Sequence, residues 1–305
     1  MQTAIVLLNF NSFQDTDECI ESILASKAKA YEIVVVDNAS HDSSYVELSE
    51  KYKANEKVVF ITSDVNLGFS GGCNLGIKYA MDKNFPYVLL LNNDTLVTED
   101  FLDPMLNVAE TNTNVGIVGG KTLFEDDRKS IWDAGGFISK GSYRGIRRRE
   151  GDEGIDTSGE VGFITCCLAL VRREVFEKIG LLPEAYFFGS EEWDFSLRTK
   201  RAGFSLWYTP ACEIYHKVGR SHDHTSATML YNTYRNRILF VKRNFNFFIY
   251  VFFLHAFVGG KLVQRILGKG QLRPFSIGKS ITLLWRTYWD SIRFNKVTKS
   301  HWAKV

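Results

Sequence analysis

Cysteine is scarce in this chain: five in 305 residues (Cys19, Cys73, Cys166, Cys167 and Cys212), with no CxxC pair. Such a scatter neither staples a disulfide scaffold nor forms a zinc ribbon, so a reducing compartment is the simpler expectation. Proline is equally scarce, at five, and the 24 glycines follow no repeat. Collagen-like and low-complexity chains are thereby excluded. A long apolar run is also missing. The longest, residues 247–260, has fourteen residues and includes His255, short of the roughly 20 that a spanning helix needs. It suits a buried helix or one lying in a membrane interface. At the start, Met1-Gln2-Thr3 leads into only five apolar residues with no basic flank, unlike a signal peptide.

Acids are what the last part of the chain lacks. Residues 235–305 hold 14 Lys and Arg against one acid, Asp290, whereas residues 1–234 hold 23 bases and 34 acids. The formal net charge of +2 conceals that split. Fourteen of the 42 aromatic residues also fall in the basic stretch. An acidic body is joined to a basic, aromatic tail, in a length that accommodates one large domain or two smaller ones.

The body has a clear alternation. Short runs rich in Val, Ile and Leu at 4–8, 33–36, 58–61, 87–91 and 115–119 predict strands buried on both faces. Between them, Cys19, Ile20, Ile23 and Leu24 form a helical stripe, and Leu75, Ile77, Tyr79 and Ala80 lie in a helix opened by Gly71-Gly72. Strands alternating with helices imply a parallel sheet covered on both sides. From 139 to 160 the pattern dissolves into glycine and charge, which reads as a mobile loop. A strand over 164–171 follows, then a helix over 173–179 closed by Gly180. Another helix starts at Glu191 with Ser190 as its N-cap, and Gly203 ends it. Beyond Tyr231 the chain reads as helical.

In an open parallel sheet, ligands bind beyond the carboxyl ends of the strands. Polar residues stand there: Asn9 and Asn11, Asp37-Asn38, Asn92-Asn93-Asp94, and the loop Asn66-Leu67-Gly68-Phe69-Ser70-Gly71-Gly72. Backbone N–H groups at such a helix start can hold phosphate. Each element alone also fits a capped turn; four on one edge favour a nucleotide pocket. Two nucleotide fingerprints are absent. The first turn, Asn9-Phe10-Asn11-Ser12, lacks the glycines of G-x-G-x-x-G, and no G-x-x-x-x-G-K-[ST] occurs. Asp94, directly after a buried strand, is where a hard divalent cation wants a carboxylate beside a diphosphate.

The order and spacing of Val34-Val35-Val36-Asp37-Asn38-Ala39-Ser40, Asn66-Leu67-Gly68-Phe69-Ser70-Gly71-Gly72-Cys73-Asn74, Leu90-Leu91-Asn92-Asn93-Asp94 and Glu191-Glu192-Trp193-Asp194 resemble one family. His216-Lys217-Val218-Gly219-Arg220-Ser221 and Tyr234-Arg235-Asn236 extend the likeness. The family is the inverting, nucleotide-sugar-dependent glycosyltransferases of family 2, in particular the rhamnosyltransferase-like branch that builds surface polysaccharides. The resemblance covers about residues 3–240. It implies an α/β fold class: a GT-A type nucleotide-sugar-binding domain over residues 1–239, with a mostly parallel central sheet flanked by helices. A helical C-terminal region occupies 240–305.

By similarity, the donor is a sugar on a nucleoside diphosphate, dTDP-rhamnose or a UDP-sugar. It is held by Asn9, Asn11, Asp37, Asn38, Asn66, Gly68, Gly71, Asn74, Asn92, Asn93, Asp94 and Arg235. Asp94 ligates Mg2+ or Mn2+, with His216 as second protein ligand. Asn92 replaces the first acid of the family's D-x-D, bringing a hydrogen bond but no charge. The resemblance makes Glu192 the general base, with Glu191 and Asp194 as the other candidates. Acids in a first helical turn also stabilise the helix by ~0.3–1 kcal/mol each, a compatible role. A zinc site at His216, His222 and His224 is the weaker reading, since zinc sites close with four ligands. Arg235 is expected either to clamp phosphate or to lie on a helix surface.

Clusters of Lys and Arg near the surface attract anionic lipid at about 1 kcal/mol each, and Trp285, Tyr288, Trp289 and Trp302 suit the interfacial zone. The expectation is that 240–305 holds the enzyme on the inner, cytoplasmic face of the cell membrane, beside a saccharide or lipid-linked acceptor. The alternative is packing of these aromatics on the catalytic domain or on a second subunit, as a homo-oligomer. Two rival functions remain at this point. A sugar nucleotidyltransferase wants a glycine-rich basic loop after the first strand, and none is present. A nucleic-acid binder could use the tail, but the acidic body repels a long polyanion, so no nucleic-acid partner is expected.

Overall fold

The computed structural model describes residues 3–218 and 226–294; Gly219-Arg220-Ser221, His222, His224 and Trp302 lie outside them. In chain order the first half comprises β1 (Thr3–Asn9), α1 (Phe13–Ala25), β2 (Tyr31–Asp37), α2 (Ser44–Tyr52), β3 (Val58–Thr62), α3 (Gly68–Asp82) and β4 (Tyr87–Leu91). Then come β5 (Thr95–Val97), α4 (Asp103–Thr111), β6 (Val115–Phe124), β7 (Ile131–Asp133), β8 (Gly136–Ser139) and β9 (Arg144–Arg147). The rest are β10 (Gly159–Glu160), β11 (Leu168–Arg172), α5 (Arg173–Ile179), α6 (Glu191–Arg201), β12 (Ser205–His216), α7 (Ala227–Asn244), α8 (Phe247–Ile266) and α9 (Ile277–Arg293).

The main sheet has the order β10-β12-β6-β11-β4-β1-β2-β3, with β5 on β12 and β7 on β6. Strands β3, β2, β1 and β4 are parallel, as the continuous apolar runs predict. Alternate residues feed two cores: Ile5, Leu7, Ile33 and Val35 point to the α1 side, and Ala4, Val6, Val34 and Val36 to the α3 side. The strand at 115–119 does not sit beside 87–91. Strand β11 inserts between them, antiparallel to both, so the sheet is parallel only toward one edge and mixed toward the other. β11 is also shorter than its 164–171 expectation, because Cys166-Cys167 form a turn just before it.

Three further expectations need correction. Part of the 139–160 loop is ordered as the β8–β9 hairpin. Gly71-Gly72 lies inside α3, which opens at Gly68. Ser190 does not cap α6 through its side chain; it sits at φ 75 with no capping bond. Caps of the expected kind appear later. Ser226, Asn246 and Ser276 accept from the N–H of Met229, Ile249 and Lys279 and start α7, α8 and α9. The boundary expected at 239/240 falls within α7. Arg243 and Asn244, beyond it, bind Asp194 of α6, so α7 belongs to both parts. α8 runs 20 residues, well past the fourteen-residue apolar run.

Candidate active site

The carboxyl ends of β1, β2 and β4 are joined by one buried polar chain. Asn9 Nδ2 donates to Asp37 Oδ1 (2.8 Å), and Asn9 Oδ1 accepts from Thr16 Oγ1 (2.9 Å). Asn93 Nδ2 in turn donates to Thr16 Oγ1 (2.7 Å). Asp37 also accepts from Ser40, its N–H on Oδ2 (3.0 Å) and its hydroxyl on Oδ1 (2.6 Å). Of about four lone-pair directions on a carboxylate, one on Oδ2 is left for a ligand N–H. Asn11, at φ 51, holds the same turn: its N–H donates to Ser40 Oγ and its Oδ1 accepts from His41. Asn9 thus shapes the rim rather than presenting a free amide, and Asn11 holds it through its N–H and Oδ1.

The glycine-rich loop departs from the phosphate-cradle expectation. The N–H groups of Leu67, Gly68 and Phe69 already donate, to Asn38 Oδ1, Asn66 Oδ1 and the Phe187 carbonyl. Gly68 has φ +75, and a Cβ there would stand 2.3 Å from that carbonyl. A Cβ on Gly72 would stand 2.3 Å from Leu8 Cδ1. Glycine here, with Gly71 between, lets α3 lie against β1 and against the 187 segment. Asn38 also donates to the Gly68 carbonyl, and Asn74 pairs both ways with the Leu182 backbone. Asn38, Asn66, Gly68 and Asn74 therefore brace the pocket wall.

Past β4, Asp94 Oδ1 lies 3.1 Å from His216 Nε2 at the end of β12. Both are buried, and His216 Nδ1 has no partner among the described residues. The pairing follows from register, since His216 is opposite Thr95 in the β5–β12 ladder. Next to His216, Lys217 is buried against Asp15 (3.1 Å) and Glu18 of α1. Burial alone would lower its pKa, but these two carboxylates outweigh it and raise it. The Trp132 ring lies edge-on to His216 at 4.4 Å, and the Arg147 guanidinium covers Trp132 at 4.1 Å. A carboxylate and an imidazole nitrogen 3.1 Å apart match the roughly 3 Å between adjacent ligands of a cation with bonds of about 2.1 Å. The two residues fit as a pair of ligands to a divalent cation, and among the described residues no third His, Cys, Asp or Glu joins them. Asn92 contributes its backbone to this corner, with its N–H on the Cys167 carbonyl (3.0 Å).

The start of α6 lies within reach of the Arg147 and Asp133 charges. Burial raises the pKa of Glu191 well above its ordinary value, and the neighbouring Glu192 charge adds to this; Glu191 Oε2 has no partner among the described residues. Glu192 is half-buried, and its pKa is raised chiefly by desolvation, with the Arg147 charge pulling it back. The turn before it is strained, with Phe187, Gly189 and Ser190 all at positive φ. It is held from two sides. Phe69 N–H binds the Phe187 carbonyl (2.7 Å), and Asn236 Nδ2 reaches the Phe188 (2.8 Å) and Gly189 (2.7 Å) carbonyls.

Asp194 is not placed for catalysis. It is fully buried and accepts from Arg198 Nε (2.8 Å), Tyr186 Oη (2.7 Å), Arg243 Nε (2.8 Å) and Asn244 Nδ2 (3.1 Å). Burial alone would raise its pKa, but Arg243, Tyr186 and Arg198 outweigh it and lower it. Nor is Arg235 on a helix surface. It is 1% exposed, and neither terminal nitrogen has a partner among the described residues; desolvation lowers its pKa.

Trp132, Asp133, Thr165 and Arg147 also line this region and escaped the sequence reading. Asp133 is buried, accepts from Thr165 Oγ1 (3.0 Å), and its pKa is raised by burial despite Arg147. A three-residue strand and a run of arginines offer no periodicity to find them by. The five cysteines are all buried and free.

A mixed sheet of this order, with an acid–imidazole corner beyond β4 and carboxylates at the start of α6, is a GT-A fold. Residues 4–180 match the model described as glycosyl transferase family 2, and the chain belongs to that family. The low-salt glycan biosynthesis hexosyltransferase Agl10 of Haloferax volcanii is 27% identical over 242 residues, 77% of this chain and 74% of the relative. The dTDP-rhamnosyl transferase RfbF of Shigella flexneri is 25% identical over 187 residues, 61% of this chain and 60% of the relative. Among solved structures, the mannosyltransferase PcManGT of Pyrobaculum calidifontis, in complex with GDP-Man and Mn2+, aligns with TM-score 0.60 at 12% identity. That alignment spans 99% of this chain and 88% of the other. GalNAc-T7 with UDP, GalNAc and Mn2+ aligns at TM-score 0.63 and 15% identity, over 79% of this chain and 47% of that one. These structures share the fold.

Proposed function

We propose that this glycosyltransferase moves a sugar from a nucleoside diphosphate, dTDP-rhamnose or a UDP-sugar, to a hydroxyl of a saccharide or lipid-linked acceptor. The product is a surface polysaccharide or glycan, made at the inner face of the cell membrane. The names of the Haloferax and Shigella relatives support the glycan and the rhamnosyl donor. The observation on which the reading rests is a run of neighbours: Asp94 bonded to His216, Trp132 edge-on to His216, Arg147 over Trp132, and Glu192 within reach of the Arg147 charge.

Asp37, at the rim, accepts from the base, and the Asn9–Asn11 turn offers it backbone. Asp94 and His216 hold Mg2+ or Mn2+, which when bound neutralises charge on the departing diphosphate. Arg147 lies close enough to Glu192 for its charge to offset part of the rise that burial gives that base's pKa. Glu192 takes the acceptor hydroxyl proton as the oxygen attacks the anomeric carbon and the bond to diphosphate breaks. One displacement inverts that carbon. Burial favours the protonated form of Glu191, which lessens the negative charge beside the anionic donor. A panel of nucleotide sugars, screened for hydrolysis and for protection against melting with and without Mn2+, tests the reading. No response to any of them removes it.

A further inference from the structure

Helices α8 and α9 leave one face of the molecule without a protein neighbour among the described residues. They run antiparallel, with His255 Nε2 3.3 Å from Tyr288 Oη and Arg265 Nε donating to Ser280 Oγ (3.3 Å). Their inner sides are packed: Tyr250, Phe253 and Leu254 of α8 and Leu283 and Leu284 of α9 are buried. The outer sides repeat apolar residues at helical spacing. Phe248 (81% exposed), Phe252 (77%) and Ile266 (71%) line α8; Ile277, Ile281 and Trp285 (62%) line α9. A helix facing water puts polar residues at such positions, and a contiguous apolar patch marks an interaction surface.

Charge says what covers it. Residues 245–294 hold seven Lys and Arg against one acid, Asp290, and that acid is engaged by Tyr231 Oη (2.6 Å). Lys269, Arg273 and Lys279 stand exposed around the α8–α9 turn. A symmetric second copy would set these cations against their own kind. An anionic bilayer offers both an apolar interior for the rings and headgroups for the cations. We propose that the outer face of α8 and α9 lies flat in the surface of an anionic membrane, rings below the headgroups and cations among them. α8 is long and apolar enough to cross a membrane, but its inner side is committed to α7 and α9, so it lies in the plane. This docking does not depend on the transfer reaction.

Flotation of the full chain with phosphatidylcholine vesicles, with and without phosphatidylglycerol, tests it. The protein should rise with the anionic vesicles at low salt, stay down with the neutral ones, and be released by alkaline carbonate. Phe248→Glu with Trp285→Glu, both on the surface, should abolish flotation while melting and circular dichroism stay unchanged. Lys269→Gln with Lys279→Gln should weaken anionic binding roughly tenfold or more. Three results overturn the proposal: no flotation with anionic vesicles, resistance to carbonate, or a dimer that Phe248→Glu splits without any vesicle binding.

Discussion

Glu191 and Glu192 are adjacent and chemically identical, yet their surroundings separate them. Both pKa values are raised by burial, Glu191 further, while Arg147 draws Glu192 back toward ionisation. A base must be ionised, so kcat falls as pH drops through the raised Glu192 value. The acid limb of the profile should therefore lie above the ordinary carboxylate value of about 4.3, and Arg147→Ala should move it higher. Glu192→Gln should leave donor binding intact while turnover falls by about 10²-fold or more. Calorimetric titration with and without Mn2+ should show that Asp94→Ala abolishes metal-dependent donor binding. Asp194 belongs to stability instead. Its folded pKa is lowered, so its contribution is present above the unfolded value of about 3.9 and vanishes as pH falls through the folded one. Asp194→Ala should cost about 2–3 kcal/mol near neutrality, toward the low end because Arg243 is partly solvated. Urea midpoints should show the gap to the unaltered chain closing in acid. Sequence pattern groups these three acids as one motif; only burial and partners tell them apart.

Among the elements, those with both faces buried were legible from the sequence. β4 and the centres of β1 and β2 announce themselves as Val, Ile and Leu runs because both their faces are covered, whereas β3, at the sheet edge, is apolar but only half-buried. The β8–β9 hairpin was not, since its four-residue strands carry Gly, Ser and Arg and, apart from one bridge from Gly136 to Phe163, pair with each other. The turn at 187–190 was invisible for a related reason. Its positive φ values are imposed by hydrogen bonds from Phe69 and Asn236, far apart in sequence. That turn sets where α6 begins. Gly68→Ala should lower stability by about 1–3 kcal/mol through φ strain and the Phe187 clash. Asn236→Ala should lower turnover roughly 10- to 100-fold with little change in donor affinity, because it misplaces Glu192 rather than the nucleotide. A normal kcat in the Asn236 variant would remove that positioning role.

At the scale of the molecule, the expected border at 239/240 falls inside α7, whose last turn is tied to α6. Ending the chain at 239 removes Arg243 and Asn244 from Asp194, deletes Phe240 and Val241, and bares Ile238 and Leu239, which share their buried cluster with α8. Such a truncation should lose cooperative unfolding, as followed by circular dichroism, despite retaining every expected donor and catalytic residue. The antiparallel β11 was hidden for the same reason as the border: both are settled by contacts between distant segments, to which local periodicity is blind.

Tyr143, in the bend of the β8–β9 hairpin, meets the rings of Phe245 and Phe253 at 4.8 and 5.4 Å. Four residues on, the same hairpin lays Arg147 over Trp132. A continuous line of ring contacts therefore joins α8 to the hairpin that covers Trp132, without passing through the main sheet.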